Sequence, residues 1–324
     1  MIKNIIKNKW FFRLIGIAIF IFILVYKINL KETLALFGHI KVSYLILAIL
    51  VMIIASVIKP YRWQYILKTM NIRYSLLKIY KLYFIGLFMG LITPGRLGEL
   101  GKIIYLKRDN YSLNQSLISV IIDRLADIFY LIFFGFIGFF FFLTFFKSLI
   151  IYAGIVIVLG IISLLLIIKI KGVKNIFKNV ILFFVPQKYK QKIEKSFSEF
   201  IENLKLYKFK NYFVIFMLTV FSWLPSYVAV YFLGESLGIT NISFLYLSVS
   251  ITITSLVTML PISISGLGTR EATFLLLFTP LGISPETIIG FSLLIFITSF
   301  IITPIIGLSC WLVTPLPDNE KNCA

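Results

Sequence analysis

Two strings of residues carry the polar chemistry of this chain. The first reads Ile92-Thr93-Pro94-Gly95-Arg96-Leu97-Gly98-Glu99-Leu100-Gly101-Lys102. The second reads Pro261-Ile262-Ser263-Ile264-Ser265-Gly266-Leu267-Gly268-Thr269-Arg270-Glu271. Each sets a proline, glycines, an arginine and a glutamate against an apolar run. Proline and glycine interrupt a helix, and a new helix is expected to start at Gly98-Glu99 after the first break and at Gly268-Thr269-Arg270-Glu271 after the second. A helix N-terminus presents free N–H groups and a positive partial charge, so it attracts anions. Arg96 and Arg270 add full charges of a shape suited to bidentate phosphate contact. Glu99 and Glu271 stand where a carboxylate caps a first turn or pairs with an arginine. A third group opens the next apolar run: Asp123 and Asp127 share a helix face, with Arg124 about 100° round it. The chemistry this implies is binding of an anionic group such as a lipid phosphate, with carboxylates to balance the arginines or meet an amine. The competing reading is structural, with kinked helices and local ion pairs. Two similar breaks in matching positions weigh against it.

Other chemistries fit less well. Gly95 to Lys102 has the look of a phosphate-binding P-loop, but five residues separate Gly95 from Gly101 and Ile103 stands where a Ser or Thr is needed. His39 is the one histidine and lies in a short loop, and Cys310 and Cys323 suggest neither a disulfide framework nor a metal site. No metal and no cofactor are expected. Asp123 and Asp127 come nearest to a metal pair, and Arg124 between them argues for structure or binding instead.

The elements that position these groups must lie in a bilayer. Of 324 residues 60% are hydrophobic and 14% charged, and several apolar runs approach the length of a membrane span. The net charge of +19 sits between those runs. It is accounted for by basic loops on the cytoplasmic side, so no nucleic-acid partner is expected. The N-terminal lysines, followed by an apolar run without a small-residue cleavage site, predict an uncleaved first span over 11–28 with a cytoplasmic N-terminus. Span two is expected over 43–58, closed by Pro60 and Arg62-Trp63, with the tryptophan at the interface and Arg62 in a cytoplasmic basic strip.

The next run, 82–93, holds 12 residues. At 1.5 Å each this is about 18 Å, too short for a core of about 30 Å. With Lys78 and Lys81 before it and Lys102, Lys107 and Arg108 after it, it reads as a re-entrant hairpin from the cytoplasm, with Gly86 and Gly90 allowing close packing. A span over 149–168 follows, then an eleven-lysine stretch, 169–210, with an amphipathic helix over 188–207 on the inner leaflet. The second half repeats the outline. Span 212–232 contains Trp223 and Pro225. Run 242–260, the second break and run 272–281 read as a hairpin from outside, although 242–260 is long enough to cross. The last span is 287–313, with the C-terminus inside. Hairpins from opposite faces are the mark of inverted repeats whose breaks meet near the midplane.

The fold expected is an all-α polytopic integral membrane protein. It has about 6–8 transmembrane helices, counting two re-entrant broken-helix hairpins in an inverted-repeat arrangement. It forms a single membrane domain, with halves 1–168 and 211–324 joined by the basic linker 169–210.

Four motifs in order resemble one family. Arg62-Trp63, Pro94-Gly95-Arg96-Leu97-Gly98-Glu99, Asp123-Arg124-x-x-Asp127, and Pro261 with Gly266-Leu267-Gly268-x-Arg270-Glu271 are similar to the lysylphosphatidylglycerol synthase transmembrane family, also called flippase-like domain proteins. The resemblance covers nearly the whole chain. It implies movement of aminoacylated phosphatidylglycerol, or of a glycolipid or polyprenyl lipid, across the bilayer, and places Arg96, Glu99, Asp123, Arg124, Arg270 and Glu271 in the headgroup pathway. The chain lacks the soluble aminoacyl-transfer domain of full-length synthases, so no enzyme activity is expected of it.

The substrate-binding set expected is thus Arg96, Gly98, Glu99, Asp123, Arg124, Asp127, Gly268, Arg270 and Glu271. The function expected is translocation of an anionic phospholipid or lipid-linked headgroup in the inner (plasma) membrane. The alternatives are a membrane-embedded transferase using a polyprenyl-phosphate donor, or a subunit anchoring a separate synthase or glycosyltransferase.

Overall fold

A long apolar helix that keeps its course through a proline sets the frame of each half. The computed structural model describes residues 16–91, 93–141, 207–259, 263 and 265–314. The span expected over 149–168, nearly all of the 188–207 amphipathic helix, the start of the first span and Pro261 lie outside the described residues. In chain order the helices are α1 (Gly16–Tyr26), α2 (Leu30–Gly38), α3 (Val42–Thr69), α4 (Leu76–Leu91), a 3-10 helix (Pro94–Gly101), α5 (Lys102–Arg108) and α6 (Leu113–Phe141). Then come α7 (Phe209–Ser236), α8 (Phe244–Met259), α9 (Thr269–Phe278), a 3-10 turn (Thr279–Leu281), α10 (Pro285–Phe296), a π turn (Ile297–Ile302) and α11 (Thr303–Val313).

Among the described residues there is no strand, and three stretches are long and apolar enough to cross a membrane: Val42–Thr69, Phe209–Ser236 and Pro285–Val313. Ile46, Leu50, Ile53, Ile54 and Val57 of α3 are exposed, as suits a helix wetted by lipid. The chain is an all-α membrane protein.

The second span is longer than the apolar count suggested. Instead of closing at Ile58, α3 runs through Pro60 for 28 residues, and Pro60, Arg62 and Trp63 are all buried. Packing against α7 holds the helix together across the lost N–H. α7 is also 28 residues long and also contains a proline, Pro225. The lengths keep matching: α4 and α8 have 16 residues each. The spans that follow the two hairpins, α6 and Pro285–Val313, have 29 residues each.

Both hairpins are re-entrant, from opposite ends. Tyr111 Oη donates to Arg73 O at 3.3 Å and Tyr74 Oη to Asp109 Oδ2 at 2.6 Å, so α4 leaves and α5 returns at one end. That end carries Lys68, Arg73, Lys78, Lys107 and Arg108. At the other end Tyr246 Oη near the start of α8 donates to Leu277 O near the end of α9, at 2.7 Å. The same end gathers Lys41 N on Ser236 O at 2.9 Å and Asn29 N on Glu286 Oε1 at 3.2 Å. The stretch 242–260 therefore does not cross: α8 covers about 24 Å at 1.5 Å per residue and stops at the break. At their tips the two hairpins touch, Ser265 Oγ donating to Leu91 O at 2.9 Å.

The return limb of the first hairpin departs from expectation. Gly98 and Glu99 do not open an α-helix; they sit inside the 3-10 helix, and α5 begins at Lys102. Thr93 is the reason. Its Oγ1 accepts from Gly98 N at 2.6 Å, folding the chain so tightly on α4 that a Cβ at Gly98 would strike the Met89 carbonyl.

Candidate functional site

Two polar centres lie behind the two tips. The larger is built on Arg62, carried into the interior by the extension of α3 beyond Pro60. Its Nε donates to Asp123 Oδ1 at 2.9 Å. Its Nη1 donates to Asp127 Oδ1 at 2.8 Å and to Thr219 Oγ1 at 3.0 Å. Its Nη2 donates to Asp123 O at 3.2 Å and to Asp127 Oδ2 at 3.0 Å. The four-residue spacing of the two aspartates on α6 presents both to one guanidinium. Trp223 Nε1 of α7 adds a bond to Asp127 Oδ1 at 3.1 Å, so this side of the centre is saturated.

The other side is not. Lys102, the first residue of α5, is fully buried. Its ammonium lies 4.7 Å from the Trp63 ring centre and 4.5 Å from that of Tyr83, a cation–π cradle. Its stem runs along Gly86 of α4, where a Cβ would meet it. Glu99 Oε2 and Asp123 Oδ2 stand 3.7 and 3.6 Å from Nζ. Arg124 forms a close ion pair with Glu99 Oε2 and stands 3.9 Å from both Asp123 Oδ2 and Asp127 Oδ2; its side chain is 22% exposed and links the centre to the surface. Yet Lys102 Nζ, both oxygens of Glu99, Asp123 Oδ2, Arg124 Nε, Tyr83 Oη and Trp63 Nε1 are buried without a hydrogen-bond partner. Orphaned polar atoms are costly in an interior. The four donors among them, on Lys102, Arg124, Tyr83 and Trp63, call for acceptor oxygens from water or an anion.

The smaller centre caps the second tip. Glu271 Oε2 accepts from Gly268 N at 2.7 Å. Its Oε1 accepts from Arg270 Nη2 at 2.6 Å, Arg270 Nε at 3.2 Å and Ser292 Oγ at 2.7 Å. The N-terminus of α9 thus already holds a carboxylate, its own, which bonds back to the N-cap N–H of Gly268. Gly268 has φ 82° and lies so close to the Gly16 carbonyl of α1 that no Cβ fits.

Of the expected residues, Glu99, Asp123, Arg124 and Asp127 come together in the larger centre, and Gly98 shapes the turn beside it. Gly268, Arg270 and Glu271 form the smaller one. The side chain of Arg96 lies outside the described residues. Sequence reasoning missed Lys102, Thr219, Trp223 and Ser292 as site residues. It also set Arg62 in a solvated strip and Trp63 at an interface, where the structure buries both. The signal for Arg62 was present: Trp63, Tyr65, Ile66 and Leu67 continue an apolar pattern past Pro60, and a cation inside such a helix needs a partner.

The sequence model of one family, described as the lysylphosphatidylglycerol synthase TM region, matches residues 10–307. The chain belongs to that family. A UPF0104 membrane protein of Methanocaldococcus jannaschii is 28% identical over 317 residues, 94% of each chain. A second UPF0104 membrane protein, from Pyrococcus horikoshii, is 31% identical over 131 residues, 39% of each chain. These names identify membrane proteins of this family and say nothing of catalysis.

Proposed function

We propose that this member of the family translocates a lipid with an anionic phosphate headgroup, carrying the headgroup through the centre round Lys102. The observation that carries this reading is the set of orphaned donors on Lys102, Arg124, Tyr83 and Trp63, buried directly behind the tip of a re-entrant hairpin. A phosphodiester supplies the acceptor oxygens they lack. The opposed hairpins and repeated helix lengths suit alternating exposure of a site at the junction of two inverted halves. A groove between α6, α7 and α8, lined by Phe134, Ile137, Tyr227 and Val249, begins about 10 Å along α6 from Asp127 and gives acyl chains an apolar path. The excess of lysine and arginine at the end where α4 leaves and α5 returns supports reading that end as the cytoplasmic one, in a cell's inner membrane. The family description, naming a synthase of lysylphosphatidylglycerol, makes phosphatidylglycerol the first lipid to try.

The test is a leaflet assay in proteoliposomes with fluorescent phosphatidylglycerol, its lysyl form and a polyprenyl phosphate, the outer leaflet being chemically quenched. Wild type is expected to speed exchange of at least one of these. Lys102→Gln with Arg124→Gln is expected to slow it by tenfold or more, the loss of two charge-assisted bonds. Equal rates with and without wild-type protein for every lipid would end the reading.

A further inference from the structure

Two lysines reach the aspartates that hold Arg62. Lys102 stands 3.6 Å from Asp123 Oδ2. Lys59 of α3 acts on Asp127, one helical turn further along α6. Each ammonium rests on a tryptophan ring at 4.7 Å, Lys102 on Trp63 and Lys59 on Trp223. They differ in burial: Lys102 is fully buried, whereas Lys59 is half-buried. Lys59 stands ten residues before the end of α3 at Thr69. That is about 15 Å, half of a hydrocarbon core of about 30 Å. A partly exposed cation at such depth calls for a functional reason.

Balancing Asp127 is not reason enough. Both oxygens of Asp127 already accept from Arg62, and Oδ1 also accepts from Trp223. What distinguishes Lys59 is its continuity with the apolar groove. The Trp223 ring beneath its ammonium is stacked on Tyr130 at 5.6 Å and stands 6.0 Å from Tyr227. Tyr227 lines the groove between α6, α7 and α8, and its hydroxyl lies 2.8 Å from that of Thr252, which lines it too. Both long helices also lack a backbone bond at this level. Lys59 precedes Pro60, and Trp223 stands two residues before Pro225. A bend of α3 or α7 here breaks fewer hydrogen bonds than elsewhere.

We infer that Lys59, over Trp223, is a second cationic station for the headgroup. The phosphate held by Lys102 behind the first tip passes to Lys59, which keeps it beside the groove that takes the acyl chains. This rests on the headgroup reading and adds the next stop on the path. The aspartates that the two lysines reach are about 6 Å apart along α6, so the step is short. Arg62 between them does not compete for the phosphate, because five hydrogen bonds engage all its N–H groups. The phosphate oxygens exchange one ammonium for another.

Exchange and binding measured on the same full-length proteins test this. Exchange of fluorescent phosphatidylglycerol is followed in proteoliposomes, and binding of short-chain phosphatidylglycerol by calorimetry. Lys59→Met is expected to slow exchange by about tenfold or more, through loss of a charge-assisted contact. Its binding should stay within about threefold of wild type, because Lys102 is untouched. Lys59→Arg, which keeps the charge, should exchange within about threefold of wild type. A readout independent of any variant's folding uses wild type alone. Phosphatidylglycerol with a diazirine in its headgroup is expected, on illumination, to label the peptide containing Trp223 as well as the one containing Tyr83. Label at Tyr83 without Trp223 overturns the inference and leaves the headgroup reading standing. So does wild-type exchange in Lys59→Met, or an equal loss of exchange and binding in that variant, which would make Lys59 a support of the first centre only. Lys59→Arg as slow as Lys59→Met overturns the role of the charge. No exchange and no binding by wild type overturns the headgroup reading and the inference with it.

Discussion

Arg62 decides the stability of the interior more than any other single residue. Removing it takes the hydrogen bonds from Asp123 Oδ1 and Asp127 Oδ2 and leaves the buried pair to the charges of Lys102, Arg124 and Lys59, so Arg62→Ala is expected to destabilise the protein by about 3–5 kcal/mol. Arg62→Lys, a point charge in place of a fork, should recover only part of that. Unfolding in mild detergent, followed by tryptophan fluorescence, measures both. A second residue acts at the basic end. Burial pushes the Asp109 carboxyl up, but hydrogen bonds from Lys78 and Tyr74 and the charges of Lys78 and Arg108 outweigh it, and the net direction is downward. A group whose folded value is depressed contributes stability above its unfolded value, near 4. That contribution is lost as pH falls through the lower, folded value. Asp109→Asn should therefore lower the melting temperature at pH 7 by a few degrees and make little difference below pH 3; equal effects at both would refute the assignment. At this scale the sequence was half legible. Residue types announced a charge in a span, so Asp123, Arg124 and Asp127 stood out. Lys102 did not, because a lysine beside a basic loop looks like its neighbours until the 3-10 helix turns it inward.

Elements are legible where length and composition set them, and less so where one contact does. Run 82–93 could not cross a bilayer, and that geometric bound was enough to expect the first hairpin; the second was expected from its similar break, since 242–260 was long enough to cross. The extension of α3 past Pro60 was hidden because a proline reads as a helix end, and only packing against α7 overrides it. The 3-10 return at Gly98 was hidden for a similar reason: one threonine hydroxyl redirects the chain. Glycine tests the tips. At Gly268, φ 82° and the adjoining Gly16 carbonyl combine a backbone unsuited to a side chain with a steric block. Gly268→Ala is expected to lose about 2–4 kcal/mol, seen as a drop in melting temperature and a loss of monodisperse protein. Gly38→Ala, where no atom approaches the added methyl, should leave both unchanged within about 0.5 kcal/mol. Similar losses at both positions would mean that the tips are no more constrained than a helix end.

On the scale of the whole molecule, the repeat of 28-, 16- and 29-residue elements in each half makes two arrangements of one chemistry conceivable, each half taking the other's posture in turn. The last span joins the halves. Its first part, α10, packs on α9 and α2, its second part, α11, packs on α4, and between them lies a π turn just before Pro304, whose missing N–H frees one helical bond. If the halves exchange postures, the tips must part, because Ser265 and Leu91 belong to opposite hairpins. A disulfide between Leu91→Cys and Ser265→Cys, in a background with Cys310 and Cys323 replaced, is therefore expected to cut lipid exchange by at least tenfold when oxidised and to restore it when reduced. Binding of phosphatidylglycerol should survive the lock, because neither residue touches Lys102 or Glu99. Full exchange in the oxidised protein would show that the tips stay joined throughout the cycle, and the moving parts would then have to be sought in α3 and α7 at their prolines.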